Sequence, residues 1–224
     1  MEITYIGKED VLQAFNFRHA TKEFDATKKI SDTDFEFILE TAHLSPSSFG
    51  FEPWHFVVVQ DKDLRESLKP FAWGAPLKLD TASHFILGLA MKAPMVKHDA
   101  QYIDDMMRKV KQFPEDVVEM YSKFYREFQE RDFNLDTDKK IFDWSTKQTY
   151  IALANMMTSA ALVGIDSCPI EGFRQTEIEP LLKDKFGIDT DKYGLAFMAA
   201  FGYRKADPEH PKVRREKSDI ITWK

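Results

Sequence analysis

The stretch SPSSFGFEPWHFVVVQ, residues 45–60, carries the chain from the end of a helix into a strand. Upstream, Ser31 to Leu44 has the marks of a helix. Ser31 is placed to cap it, Asp34 sits near the positive end of its dipole, and Phe35, Ile38, Leu39 and Ala42 share one face. Pro46 stops it, because the residue before a proline is pushed out of the helical region. Downstream, Val57, Val58 and Val59 form a β-branched run, so His55–Gln60 is predicted as a strand. Between the two, a pair of prolines, a pair of serines and Gly50 make a rigid polar loop. Such loops present backbone N–H groups and hydroxyls to ligands. Trp54 reads as core.

Outward from this segment, Ser83–Met91 (SHFILGLAM) reads as a second, buried strand and Leu195–Phe201 as a third. Phe142 to Val163 reads as a helix with Gly164 at its C-terminal cap. Its second half is apolar almost all round, so it is buried on more than one side, as at a subunit interface. Residues 101–140 are the most charged part of the chain. Val117, Tyr121, Phe124 and Phe128 make a stripe there, which predicts a solvated helical insertion with one apolar face. From Arg204 to Lys217 the tail is basic, contains Pro208 and Pro211, and reads as an extended arm ending in Ile220–Trp223. No internal repeat or low-complexity tract divides the chain, so residues 1–224 are expected to form one domain.

Composition narrows the function classes. The 224 residues hold 31 Lys plus Arg against 37 Asp plus Glu, a net charge of −6. A net acidic chain is a poor general binder of nucleic acid or anionic membrane. Apolar residues at 43% and 19 Phe supply a real core and exclude intrinsic disorder. The lone Cys168 has no internal disulfide partner, which fits a reducing compartment. The first ten residues lack an apolar signal core, and the apolar run Tyr150–Val163 is too short to span a bilayer. A soluble cytoplasmic protein is expected. No HExxH, CxxC pair or EF-hand loop occurs, so no metal site is expected. Neither GxGxxG, a Walker loop nor GxSxG is present, which excludes Rossmann, P-loop and serine-hydrolase routes. Cys168 precedes Pro169 in apolar surroundings and reads as a buried, inert thiol.

Four segments remain as carriers of chemistry. Arg18-His19-Ala20-Thr21-Lys22 gathers basic side chains that would clamp an anion or form a solvated turn. Ser45–Phe56 is the polar loop above. Cys168–Phe173 follows the central helix, and backbone N–H groups around Glu171 and Gly172 are suited to a heterocycle. Lys212-Val213-Arg214-Arg215 lies in the basic arm and is either an anion site or a solvated face.

Together, RHATKEFD, LSPSSFGFEPWHF, the Lys147-Gln148 helix leading to NMM, GIDSCPIEGF, and GYRKAD followed by KVR resemble the nitroreductase family of flavoproteins. The likeness is greatest to the oxygen-insensitive NAD(P)H nitroreductase and dihydropteridine reductase branch. The motifs run in family order from Arg18 to Arg214. The resemblance implies an α+β fold with a central, mostly antiparallel sheet flanked by helices. It also implies a homodimer with FMN at the subunit interface, each C-terminal segment adding a strand to the partner's sheet.

Carried over residue by residue, the resemblance implies that Arg18, His19, Ala20 and Lys22 contact FMN, with Lys212 and Arg214 joining Arg18 at its phosphate. Ser47, Ser48 and Gly50 would reach the partner subunit's FMN. Lys78 matches the family lysine upstream of the Ala82-Ser83-His84 strand. Pro169, Ile170, Glu171 and Gly172 would lie along the isoalloxazine, with the Glu171 N–H near N5. Three positions depart from the family: Ala20 stands in place of Ser, Gly50 in place of Asn, and Ala75 in place of a ring-contacting Asn.

The implied activity is two-electron reduction of nitroaromatics, quinones or related small oxidants by NADH or NADPH, with hydride passing through flavin N5. Lys22, Lys78 and Glu171 are the expected catalytic set, the two lysines stabilising charge on the reduced ring. Phe124 and Tyr125 in the insertion are expected to line the substrate channel or to pack helices. Alternatives are another flavin reaction on the same fold, such as dihydropteridine or enone reduction or reductive dehalogenation, and a non-catalytic flavin-binding protein.

Overall fold

In the computed structural model, residues 5–224 are described. The helices and strands follow in the order α1 (Lys8–Phe17), α2 (Asp32–His43), β1 (Trp54–Val58), α3 (Lys62–Leu68), α4 (Pro76–Thr81) and β2 (His84–Met91). Next come α5 (Ala93–Val96), α6 (Gln101–Asp105), α7 (Glu115–Glu127), α8 (Asp138–Leu162), β3 (Asp166–Ile170), α9 (Gln175–Phe186) and β4 (Tyr193–Gly202). The four strands form one antiparallel sheet in the order β1-β2-β4-β3. The expected α+β architecture is thus present.

The near-continuous apolar sequence of β2 has a direct cause: both faces of the sheet are covered. Phe85, Leu87 and Leu89 point into a core with Leu68, Leu79, Ile178 and Leu182 of α3, α4 and α9. Ile86 and Ala90 point the other way, against Phe35 and Ile38 of α2 and Leu153 and Met156 of α8. Strands buried on both faces lose the apolar–polar alternation that one-sided burial imposes. Gly88 is opposite Phe197 in the register, and any Cβ there would collide with that ring. The absent side chain is what lets Phe197 lie across the sheet.

The helix after Ser31 behaves as predicted. Ser31 Oγ accepts the Asp34 N–H at 3.1 Å. The central helix begins four residues earlier than its apolar pattern indicates, at Asp138. Thr137 Oγ1 caps it by accepting the Lys140 N–H at 3.2 Å. Asp138, Lys139 and Lys140 face solvent, so the first turn carries no periodic signal. Gly164 follows the helix with φ +74°, the left-handed conformation that glycine adopts without steric cost. The fourth strand, β3, was not predicted. Its Pro169 argues against a strand interior, but β3 is the edge strand of the sheet: β4 pairs with it along one side, and on the other the described residues add an isolated bridge at Ser167, so a missing N–H at Pro169 is tolerated.

Residues 101–140 fold over their own core. Met106, Met107, Val118, Tyr125 and Trp144 pack with Phe51 from the polar loop. Two π-helical turns, Met106–Val110 and Phe128–Asp132, are followed closely by Gln112 and Asn134 at positive φ. Of the two readings of Tyr125, channel lining and helix packing, the structure agrees with packing: the side chain is fully buried and its hydroxyl donates to Val96 O at 2.7 Å. One helical step away, Phe124 is exposed.

His84 opens β2. It stacks on Phe35, with centroids 3.7 Å apart, and its Nδ1 lies 3.1 Å from Ser83 Oγ. Burial first, then the nearby Arg65, holds its pKa down at about 4. An unfolded chain takes up this proton near pH 6.5 and the folded one only near pH 4. Stability is therefore expected to fall as pH drops from about 6.5 to about 4, and this contribution is level again below that. Urea titrations at pH 7 and pH 4.5 should show wild type losing more stability on acidification than His84→Gln. An equal loss in both would discount the buried imidazole.

Candidate functional site

The site is assembled where the C-terminus of α1, the start of β3 and the basic arm meet. Arg18 follows α1, and Lys212 of the arm donates through Nζ to the carbonyls of Phe15 and, at 2.5 Å, Arg18. These are the unpaired carbonyls of a helix end, where a cation is favoured by the dipole as well. Burial, followed by the neighbouring Arg18, Arg214 and Arg204, pushes the Lys212 pKa down. The last of these cations is neutralised. Arg204 pairs with the buried Asp166 of β3, with Nη2 2.6 Å and Nε 2.8 Å from Oδ1, and its backbone N–H donates to Oδ2 at 3.0 Å. Its guanidinium also covers the Phe17 ring at 4.2 Å and donates to Phe17 O at 2.8 Å. Arg18, Lys212 and Arg214 have no carboxylate partner among the described residues. This is a concentration of positive charge in an acidic chain, held in place by a neutralised pair beneath it.

His19 adds a directional group. Its Nδ1 donates to Phe17 O at 2.9 Å, which leaves Nε2 as an acceptor in the neutral ring. Nε2 is buried and has no partner among the described residues, and the same holds for Ser167 Oγ. Ala20 forms a parallel bridge to Ser167, so this loop is laid against β3. Lys22 is exposed in a cleft lined by Glu23, Lys205 and His210. Lys22 and Lys78 both lie close enough to β3 to pull the Cys168 thiol pKa down, though burial dominates and pushes it up. That agrees with an inert thiol.

Gly172 and Gly74 bring the β3 exit against the loop before α4. Gly74 donates to Gly172 O at 2.8 Å, and a Cβ on Gly172 would stand 2.8 Å from Gly74 Cα. Only glycine permits this approach. Lys78 Nζ donates to Gly74 O at 2.9 Å, so the lysine is held to the same junction. Pro169 and Ile170 occupy the end of β3. The Glu171 carboxylate accepts from the Tyr150 hydroxyl, which reaches it from α8.

The polar loop is pinned to α8 from two sides. Ser48 N–H donates to Gln148 Oε1 at 2.9 Å, and Asn155 Nδ2 donates to Ser45 Oγ at 2.8 Å. Ser47 Oγ accepts the Glu52 N–H at 2.9 Å. Phe49, Gly50 and Glu52 all have positive φ, at 58°, 62° and 47°. Two non-glycine residues held there store backbone strain, which clusters at ligand-binding loops.

The sequence-predicted residues thus fall into two groups within one chain. Arg18, His19, Ala20, Lys22, Lys78, Pro169, Ile170, Glu171, Gly172, Lys212 and Arg214 gather around β3 and its neighbours. Ser47, Ser48 and Gly50 lie on the loop fixed by α8.

Residues 16–203 match the sequence profile of the nitroreductase family. The chain belongs to that family. Two relatives that bear the name putative NAD(P)H nitroreductase come from Staphylococcus epidermidis and Bacillus subtilis. The first is 53% identical over 96% of this chain and 97% of its own length, the second 52% over 96% and 98%. The fold is also that of a solved structure from Exiguobacterium sibiricum, described as a putative nitroreductase in complex with FMN. That comparison has a TM-score of 0.74 at 23% identity and covers 100% of both chains.

Within this nitroreductase-family chain, three supporting residues escaped the sequence reading. Asp166 and Arg204 were visible only inside GIDSCPIEGF and GYRKAD, and nothing in their spacing marks them as a pair. Tyr150 reads as one more apolar residue of the central helix until the fold sets it against Glu171.

Proposed function

We propose that this protein is an FMN-dependent NAD(P)H oxidoreductase, acting as a homodimer, that reduces nitroaromatics, quinones or related small oxidants by two-electron transfer. The observation that carries this reading is the cluster of Arg18, Lys212 and Arg214 without a described carboxylate partner, next to the unpartnered Nε2 of His19. Guanidinium and ammonium groups fit a phosphate, and an imidazole acceptor fits a hydroxyl, so the donor set suits a ribityl phosphate. The names of the two close relatives support NAD(P)H as reductant, and the FMN complex of the solved structure supports the cofactor.

Bound FMN would supply the hydride chemistry. The chain's own part is binding, orientation and electrostatics. Arg18, Lys212 and Arg214 would hold the phosphate, while Asp166 neutralises Arg204 and keeps the cation cluster from repelling its own scaffold. Lys22 and Lys78 would place positive charge near β3, where it stabilises an anionic reduced ring more than a neutral oxidised one. The Gly74–Gly172 contact fixes the backbone around Glu171, and Tyr150 fixes its carboxylate. A dimer is supported by the apolar residues of the basic arm's last stretch: Ile220, Ile221 and Trp223 lie open to solvent, a liability that a partner surface would remove.

The purified protein is expected to be yellow and to release FMN on denaturation. Arg214→Ala should weaken FMN by about ten- to a hundredfold, the worth of a charge-assisted phosphate contact of about 1.5–3 kcal/mol. Riboflavin, which lacks the phosphate, should bind both forms alike. Fluorescence titration of the apoprotein with each flavin checks this; an equal loss for riboflavin removes Arg214 from the phosphate. Anaerobic turnover of NADH and NADPH against nitroaromatics and quinones tests the activity itself, and its absence leaves a flavin-binding protein.

A further inference from the structure

Lys111 ends the first π-helical turn of the 101–140 segment and lies over the polar loop. Its neighbours on that turn are neutralised. Arg108 pairs with Asp104 and Glu115, and Lys109 with Asp105 at 2.9 Å. The side-chain ammonium of Lys111 has no carboxylate partner and no hydrogen-bond acceptor among the described residues, although the residue is half-buried. Its Nζ lies 5.9 Å from the centre of the Phe113 ring. A Cβ on Gly50 would stand only 2.7 Å from that Nζ. The ammonium therefore occupies the space that a side chain at position 50 would fill, on the loop that carries Ser47 and Ser48. Gln112, next in sequence, is held at φ 53°, so the turn that aims Lys111 is itself constrained.

A half-buried ammonium without a counter-charge, beside the Phe113 ring and over the loop that carries Ser47 and Ser48, is suited to an anionic aromatic. We infer that Lys111 is a specificity residue of the oxidant site and selects aromatic oxidants bearing a carboxylate over their neutral counterparts. The small residue at position 50 is the condition for it: glycine leaves Nζ its place, and a longer side chain there would turn the ammonium aside. Asn is the apt probe of this, because it tolerates the same positive φ. The inference rests on the oxidoreductase reading above, and the experiment separates the two.

Two measurements on the purified flavoprotein test it. The first is the ratio of kcat/KM for 4-nitrobenzoate to that for 4-nitrobenzamide, in wild type, Lys111→Met, Lys111→Arg and Gly50→Asn. The ratio is expected to fall about tenfold in Lys111→Met, the worth of one charge-assisted contact. It should stay near wild type in Lys111→Arg, fall in Gly50→Asn, and shrink with salt in wild type. The second is calorimetric binding of unreactive benzoate against benzamide, which needs no turnover, with the same loss of preference expected in Lys111→Met. A ratio and a binding preference both unchanged in Lys111→Met overturn the assignment. So does a change confined to the KM of NADH or NADPH, which would put Lys111 at the nicotinamide phosphates. If wild type reduces neither nitro compound yet benzoate preference depends on Lys111, the oxidoreductase reading fails and the anion site stands.

Discussion

Asp166→Ala is expected to destabilise the protein by about 3–5 kcal/mol, the cost of leaving a buried charge without its partner. Asp166 is 2% exposed and accepts the Arg204 backbone N–H as well as two bonds from its guanidinium. Removing the carboxylate leaves Arg204 with the exposed Asp207, 3.6 Å away, as its remaining carboxylate partner among the described residues, beside the cations Arg18, Lys212 and Arg214. In a chain of this size that corresponds to a thermal midpoint lower by roughly 6–20 °C. Flavin content should fall too, because Arg204 ties Phe17, and with it the Arg18–Lys22 segment, to β3. The double variant Asp166→Ala/Arg204→Met should recover part of the loss, since it removes both charges and keeps apolar volume over the Phe17 ring. Differential scanning calorimetry of the three variants decides. A single variant within about 1 kcal/mol of wild type would mean that water reaches Arg204 and that the pair behaves as a surface contact.

A loss of comparable size is expected for Arg65→Met. Arg65, in the last turn of α3, is buried and has no described carboxylate partner. Its guanidinium instead donates to main-chain carbonyls: Val59 at 2.7 Å, Ala82 at 2.9 Å, and Leu79 and Ser83 at 3.3 Å. It also donates to Gln60 Oε1 at 2.5 Å. These acceptors terminate β1, close α4 and open β2, so one side chain satisfies three chain ends at once. Methionine keeps the volume and leaves at least two strongly bonded carbonyls buried and unpaired, at about 1–3 kcal/mol each. Arg65→Lys should recover only a fraction, because an ammonium cannot span the fork that a planar guanidinium fills. Denaturant unfolding gives the measurement. Full recovery with lysine would show that charge, not the fork, matters.

Both predictions rest on residues that sequence reading passed over, and the reason is physical. Capping, periodicity and turn chemistry act between residues a few positions apart. They were legible: Ser31 caps α2, Pro46 lies beyond its end, Val57 and Val58 belong to β1, and Gly164 terminates α8. Buried polar partners act across the fold. Asp166 and Arg204 lie 38 positions apart, and Arg65 serves carbonyls spread from Val59 to Ser83. No local pattern encodes such a match, because each side chain is ordinary until a partner is brought to it.

By itself, the sequence determined where helices and strands begin near strong caps and breakers, that one strand is buried on both faces, and, by resemblance, the family to which the chain belongs. The tertiary structure alone decided three things. It made β3 a strand in spite of Pro169, because the sheet edge asks no N–H of it. It turned Tyr125 into the core while leaving Phe124 exposed, because α7 packs one face on α5 and α8. And it set Lys111 over Gly50, because a π-helical turn and a strained Gln112 bring the charged segment back across the loop. Each of these depends on which surface meets which, and that is settled only when the sheet, α8 and the insertion close over a common core.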